Sequence, residues 1–265
     1  MRMMSIASGS SGNSIYVGSD NTHLLVDAGI SGKRIEEALN RIGISASELD
    51  GILITHEHSD HIGGLGVMHR RYGLNVYATP LTIEAMKRDK SLGKVDWETF
   101  IPINAGETFS IKDINISSMS ISHDAADPVA YRFAYGDIKT AVVTDLGEYN
   151  EREINFMSGL SAVYLEANHD IRMLQTGRYP YQLKQRILGK RGHLSNEASG
   201  RLLTAILNDK MQRIFLSHLS HENNMPELAY EAVRMEVEMS DTAWHGDDFP
   251  IDIAKRDEMS ECISL

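Results

Sequence analysis

Thr55-His56-Glu57-His58-Ser59-Asp60-His61 directly follows the apolar run Ile52-Leu53-Ile54. The apolar run reads as a short buried strand. The motif after it has the form H-x-H-x-D-H, so His56, His58, Asp60 and His61 crowd four potential metal donors into one loop. Imidazole nitrogens and a carboxylate suit zinc, iron or manganese. On a loop leaving a strand, His56 and His58 can point one way while Asp60 and His61 point another. One loop can then serve two adjacent metals. The plain alternative is a solvated polar loop at a helix start. Four donors in this order, straight after an apolar strand, argue against it.

The same arrangement recurs outward from this stretch. Leu24-Leu25-Val26 runs into Asp27, Ile114–Ser122 into His123, Thr140–Thr144 into Asp145, and Ile214–Ser217 into His218. Further strands are expected at Val76–Ala78, at Val129–Tyr135, at Ala162–Leu165 and in the alternating stretch Phe109–Ile121. Helical spacing predicts helices over Lys33–Ile42, Ile62–Tyr72, Leu81–Lys87, Asn196–Leu207 and Pro226–Glu236, with Gly43 and Gly73 as stops. Gly63, Gly64 and Gly66 weaken the first turn of the second of these. Ser8-Gly9-Ser10-Ser11-Gly12-Asn13-Ser14 reads as a tight loop between short strands. The order is strand and helix, then a run of strands, then strand and helix again. This suits a four-layer αββα sandwich, although periodicity does not separate that from other α/β folds.

Composition narrows the class. The chain has 265 residues, with 42% hydrophobic and 24% charged, as in ordinary soluble domains. That excludes a disordered chain, a collagen and a coiled coil. One domain over residues 1–265 is expected. The lone cysteine, Cys262, excludes a disulfide framework and a cysteine-clustered zinc site. No apolar run suggests a membrane span. The opening residues turn to Ser and Gly too early for a signal peptide, so a cytoplasmic protein is expected. Lys plus Arg number 26 against 37 Asp plus Glu, a net charge of −11. Such a chain is a poor general coat for nucleic acid, but it can still carry a local basic groove.

The H-x-H-x-D-H stretch resembles the signature of the metallo-β-lactamase-fold hydrolases, an αββα family with a binuclear metal site. Asp27, His123, Asp145 and His218 look like that family's other motifs, in order and each at a strand end. The resemblance implies that His56, His58 and His123 hold one metal, that Asp60, His61 and His218 hold the other, and that Asp145 bridges them. Asp27 would support the metal loop. Two such ions can activate water and clamp both oxygens of an in-line displacement. Zinc is the expected metal, with manganese and iron as alternatives. Many β-lactamases of this fold carry a cysteine where this chain has Asp145, so the resemblance points to phosphodiesterases, glyoxalase-type thioesterases and lactonases instead.

Two further segments narrow the chemistry. Gly192-His193-Leu194-Ser195-Asn196 resembles a segment of tRNA-processing metallo-phosphodiesterases whose histidine contacts the scissile phosphate. Leu165-Glu166-Ala167-Asn168-His169-Asp170 resembles the strand end that supports it. The resemblance makes Asp60 and His193 the catalytic candidates: Asp60 orients or deprotonates the nucleophile, and His193 assists at the phosphate or leaving group. Glu166 and His169 would support them without touching the metals. Together with the Ser8–Ser14 loop and Asn223-Asn224, these motifs resemble the YycJ/WalJ-type subfamily. That implies a DNA exonuclease associated with DNA repair. A small-molecule hydrolase of the same fold, acting on a cyclic phosphodiester, lactone or thioester, is the alternative. A silent scaffold would have lost ligands, and none is missing.

Between Arg172 and Arg191 there is no Asp or Glu. Arg178, Lys184, Arg186, Lys190 and Arg191 are therefore candidates for guiding a DNA strand, with Tyr179 and Tyr181 able to stack on bases. His23, His69, His221 and His245 read as ordinary strand, helix or loop residues. Met235 and Met239 read as core packing.

Overall fold

The computed structural model describes residues 1–265. In chain order the elements are β1 (Arg2–Ala7), β2 (Ser14–Gly18), β3 (His23–Val26), α1 (Gly32–Arg41), β4 (Gly51–Leu53), α2 (Ser59–Ile62), α3 (Leu65–Tyr72), β5 (Val76–Ala78), α4 (Pro80–Arg88), β6 (Phe100–Pro102), β7 (Thr108–Ile111), β8 (Ile114–Ser120) and β9 (Val129–Tyr135). They continue with β10 (Ile138–Val143), α5 (Glu151–Phe156), β11 (Ala162–Glu166), α6 (Ile171–Thr176), α7 (Tyr181–Leu188), α8 (Asn196–Ile206), β12 (Arg213–Ser217), α9 (Pro226–Glu238), β13 (Ile251–Ile253) and β14 (Ile263–Ser264). They fall into two compact units. One comprises residues 1–120, 125–137 and 255–265, the other residues 121–124 and 138–254. No helix is long and apolar enough to cross a membrane.

In the first unit a sheet runs β14-β1-β2-β3-β4-β5-β6. Its β3, β4, β5 and β6 pair in parallel. Parallel strands covered on both faces read as unbroken apolar runs, as Leu24-Leu25-Val26 and Ile52-Leu53-Ile54 do, every one of them buried. The register sets Val26 beside Leu53. Asp27 therefore leaves the sheet beside Ile54, within side-chain reach of Thr55. Helix α1 starts at the Ser31 cap, whose hydroxyl accepts from the Arg34 N–H, and it buries Ile35, Ala38 and Leu39.

One expectation is corrected here. The helix over Ile62–Tyr72 is broken, with α2 ending at Ile62 and α3 starting at Leu65. Gly64 donates its N–H to the Ala28 carbonyl at 2.7 Å. A Cβ on Gly64 would lie 1.9 Å from the Ile30 carbonyl oxygen. The break lets the chain cross the 28–30 backbone at a distance no other residue allows. The alternating stretch Phe109–Ile121 holds the expected strands, joined as a hairpin: Ile111 pairs with Ile114, and Lys112 turns the chain at φ 48°.

The second unit holds the parallel strands β10, β11, β12 and β13. Val143 lies beside Leu165, and Leu165 beside Leu216. The carboxyl ends of three strands are thus level, where open parallel sheets place their sites. Ala229, Val233 and Val237 of α9 are buried, as are Leu202, Leu203 and Ile206 of α8. The basic segment forms α6 and α7, which its sequence did not announce.

Candidate metal-binding residues

In the first unit, Asp27 adopts a left-handed backbone with φ 61°, uncommon outside glycine and a mark of an over-determined position. The turn aims its carboxylate at the 55–61 loop. Oδ1 accepts the Thr55 N–H at 2.8 Å, and Oδ2 accepts the Thr55 hydroxyl at 2.8 Å. Oδ2 also lies 2.7 Å from His61 Nδ1. A histidine held through Nδ1 by a carboxylate presents Nε2 to a metal, with its ring direction fixed. Asp27 and His61 are both buried. Burial pushes the Asp27 carboxyl up from its ordinary range, while His61 and the Thr55 hydrogen bonds oppose that rise.

The other donors lie close by. His56 Nε2 is 2.9 Å from His58 Nδ1, and the His56 and His61 rings are 4.1 Å apart. His61 Nε2 is 3.4 Å from Asp60 Oδ2. The Asn13 amide nitrogen reaches His61 Nε2 at 3.2 Å and Asp60 Oδ2 at 3.3 Å. Gly29 makes this packing possible, since a Cβ there would lie 1.7 Å from the Asp60 carbonyl oxygen.

In the second unit, Asp145 (φ 60°) and His218 (φ 57°) also take the left-handed turn at strand ends. Glu166 organises this half. Its Oε1 accepts the Asp145 N–H at 3.2 Å and lies 2.8 Å from His193 Nδ1 and 3.0 Å from His218 Nδ1. Its Oε2 accepts the Leu146 N–H at 2.9 Å and the Leu194 N–H at 3.0 Å. Asp145, Glu166, His193 and His218 have ligand-type atoms within 4.8 Å of one another. Five partners fill the Glu166 lone pairs, so this carboxylate supports the imidazoles and has nothing left for a metal. Burial alone would raise it, but the His193 and His218 imidazoles hold it well below the ordinary carboxylate range.

His218 and His123 both turn Nε2 toward Asp145 Oδ1, at 3.4 Å and 3.8 Å. His123 is fixed from behind by the Gly192 carbonyl, 3.1 Å from its Nδ1. Burial lowers its pKa, against the Asp145 charge. The His193 ring lies 5.0 Å from that of His123 and 5.3 Å from that of His218. Its side chain is 16% exposed, against 1% for His123 and 2% for His218. Of these three imidazoles, only His193 is open to a substrate.

His169 acts through its backbone. It pairs with Ser195, and its carbonyl accepts the Asn196 N–H at 2.9 Å, which fixes the segment carrying His193. Both its ring nitrogens are buried without a hydrogen-bond partner, and burial lowers its pKa from 6.5 to about 4. The folded chain therefore resists a proton that the unfolded chain accepts. Stability from the neutral ring is complete above pH 6.5 and is lost as pH falls toward 4, by up to about 3 kcal/mol. Urea unfolding of His169→Leu between pH 4.5 and 7 should show a flatter pH dependence than the natural chain. An unchanged slope would refute this.

The basic candidates are mostly occupied. Arg186 pairs with Asp124, Lys190 lies 3.3 Å from Glu148, and Lys184 donates to the Gln175 and Gly177 carbonyls. Arg191 grips the His123 carbonyl with Nε at 3.1 Å and Nη2 at 3.0 Å. The acids come from segments distant in sequence, so the acid-free run alone did not reveal them. Arg172, Arg178 and Tyr181 remain exposed.

Sequence reasoning missed Thr55, Asn13, Asn168 and Arg191 as supporters of the ligands. Asn168 donates its amide to the His218 carbonyl at 2.9 Å. The available signal was position for Thr55, beside His56, and for Asn13, inside a loop of small polar residues; nothing local marked Asn168 or Arg191.

The model of the metallo-beta-lactamase superfamily matches residues 7–218. The chain is 44% identical over 236 residues to exodeoxyribonuclease WalJ of Streptococcus pneumoniae, covering 89% of this chain and 88% of that one. It is 42% identical over 233 residues to exodeoxyribonuclease YycJ of Bacillus anthracis, covering 88% of each. Among solved structures, Zn(2+)-bound PqqB from Methylobacterium extorquens superposes with TM-score 0.70 at 14% identity over 100% of both chains. At that identity the likeness shows the fold alone.

Proposed function

Since the chain belongs to the metallo-β-lactamase superfamily and has its α/β fold, we propose that it is a DNA exonuclease that hydrolyses phosphodiesters with two divalent metal ions. It is a metal-dependent hydrolase of the YycJ/WalJ type. The observation that carries the proposal is the 44% identity over 89% of the chain to an exodeoxyribonuclease. The family and the His/Asp clusters of each unit suit a dinuclear site.

In this reading His56, His58 and His123 hold one ion, Asp60, His61 and His218 hold the other, and Asp145 is shared. The nitrogen-rich, thiol-free donor set favours zinc, with manganese or iron as substitutes. When bound, the ions supply Lewis acidity and acidified water. The protein's own groups do the rest. Asp27 and Glu166 fix the Nδ1 side of three imidazoles, so their Nε2 atoms face the ligand. Asp60 orients the attacking water or takes its proton. His193, held by Glu166, faces a non-bridging phosphate oxygen or gives its proton to the leaving oxygen. One catalytic domain over residues 1–265, a cytoplasmic place of work and a role in DNA repair complete the proposal.

The test is hydrolysis of end-labelled single- and double-stranded DNA by the metal-loaded chain, beside bis-p-nitrophenyl phosphate. DNA should be shortened from an end. Loss of the small ester alone would favour the small-molecule hydrolase. The net charge of −11 and the occupied state of most basic candidates speak for that second reading. In the nuclease reading, the exposed Arg172 and Arg178 are the DNA-guiding pair. Arg172→Glu with Arg178→Glu should slow DNA cleavage about tenfold or more and flatten its salt dependence, sparing the small ester. A parallel fall on both substrates would remove the pair from DNA guidance.

A further inference from the structure

Helix α9 carries two apolar faces, and only one is used. Ala229, Val233 and Val237 are buried. The outer face shows Met225, Leu228, Ala232, Met235 and Met239, spaced three, four, three and four residues apart. Met225 is 50% exposed, Leu228 40%, Met235 51% and Met239 78%. Met235 and Met239 were expected in the core, and that expectation is corrected here. The spacing is that of a seam which pairs with another helix. Unbranched, polarisable methionines adapt to such partners.

The rim of this stripe is acidic. Helix α9 holds Glu227, Glu231, Glu236 and Glu238; Arg234 pairs with Glu231 at 3.1 Å and Arg201 of α8 with Glu236 at 3.0 Å, which leaves the acids in excess by two. Glu227, Glu231 and Glu238 are exposed. Glu227 and Glu231 also border a groove of about 310 Å³ with Pro226, Tyr230 and Ile253.

We propose that the outer face of α9 docks a basic amphipathic helix of another protein. The methionine stripe takes its apolar face, and the glutamates pair with its lysines and arginines. This goes beyond the nuclease reading and does not depend on it. Charge selects the occupant. A second copy of α9 would set glutamate against glutamate across the seam, which costs affinity in helix pairs. A membrane surface carries anionic lipids and calls for lysine and arginine beside the stripe.

The probe is a synthetic helical peptide of about 20 residues, with leucines at the same spacing and lysines elsewhere. Its twin carries glutamate in place of lysine. Titrated into the full metal-loaded chain, the lysine peptide should bind with micromolar affinity and the glutamate twin should not. Met235→Ser with Met239→Ser should weaken binding about tenfold, Met235→Leu with Met239→Leu should retain it, and Glu227→Lys with Glu231→Lys should reverse the preference between the peptides. Hydrolysis of bis-p-nitrophenyl phosphate should be unchanged throughout, showing that each variant is folded. Equal binding by the serine variant, or no binding by the natural chain, overturns the proposal. So does a dimer in sedimentation that the serine substitutions dissolve, or tighter binding to vesicles of anionic lipid than to the peptide.

Discussion

Asp145→Ala is expected to empty both metal positions and to lower phosphodiester hydrolysis by about a thousandfold or more. The proposal makes one carboxylate serve two ions, so its removal is felt twice. Within the second unit, the imidazoles already converge on it: Oδ1 lies 3.4 Å from His218 Nε2 and 3.8 Å from His123 Nε2. Its left-handed backbone (φ 60°) and the bond from its N–H to Glu166 fix that aim before any metal arrives. Asparagine at this position accepts the backbone turn and keeps the shape but loses the charge. Asp145→Asn should therefore fold normally and still lose metal. Elemental analysis after dialysis reads about two ions per chain for the natural protein, and the two variants should fall well below one. A variant that kept both ions would show that Asp145 is no bridge.

How much of this was written in the chain depends on how local each feature is. The strand ends that carry the candidate site were legible because each is an apolar run followed closely by a donor-type residue, as in Val26-Asp27, Ile54-Thr55-His56 and Ser217-His218. The α/β class followed from the order of those runs. What was not legible depends on long-range partners. Nothing local says that Arg186 meets Asp124 or that Arg191 meets the His123 carbonyl, pairings that tie the basic segment to the chain at His123. The split between α2 and α3 was half legible: the glycines were visible, but the Ala28 and Ile30 carbonyls that require them were not. Met235 and Met239 misled for a related reason. A helix with apolar residues on two faces does not say which face the rest of the chain will cover.

The exposure of His193 separates it from His218, and the two should fail in different ways. Both imidazoles share Glu166 Oε1, at 2.8 Å and 3.0 Å. By distance to the supporting carboxylate they are alike. They differ in what the free side of the ring can reach. His218 is sealed against Asp145, while His193 is the open imidazole of the second unit's set. His218→Ala should therefore lose one of two ions and with it most activity. His193→Ala should keep two ions, bind DNA within a fewfold of the natural affinity, and turn over about a hundred- to ten-thousandfold more slowly, the usual worth of a positioned acid. A substrate with a good leaving group needs little proton donation. If His193 serves the leaving oxygen, bis-p-nitrophenyl phosphate should suffer much less than DNA from His193→Ala. If it serves the non-bridging oxygen, both substrates should slow together. Equal loss of metal in the two variants would make His193 a ligand and would overturn its assignment to the phosphate.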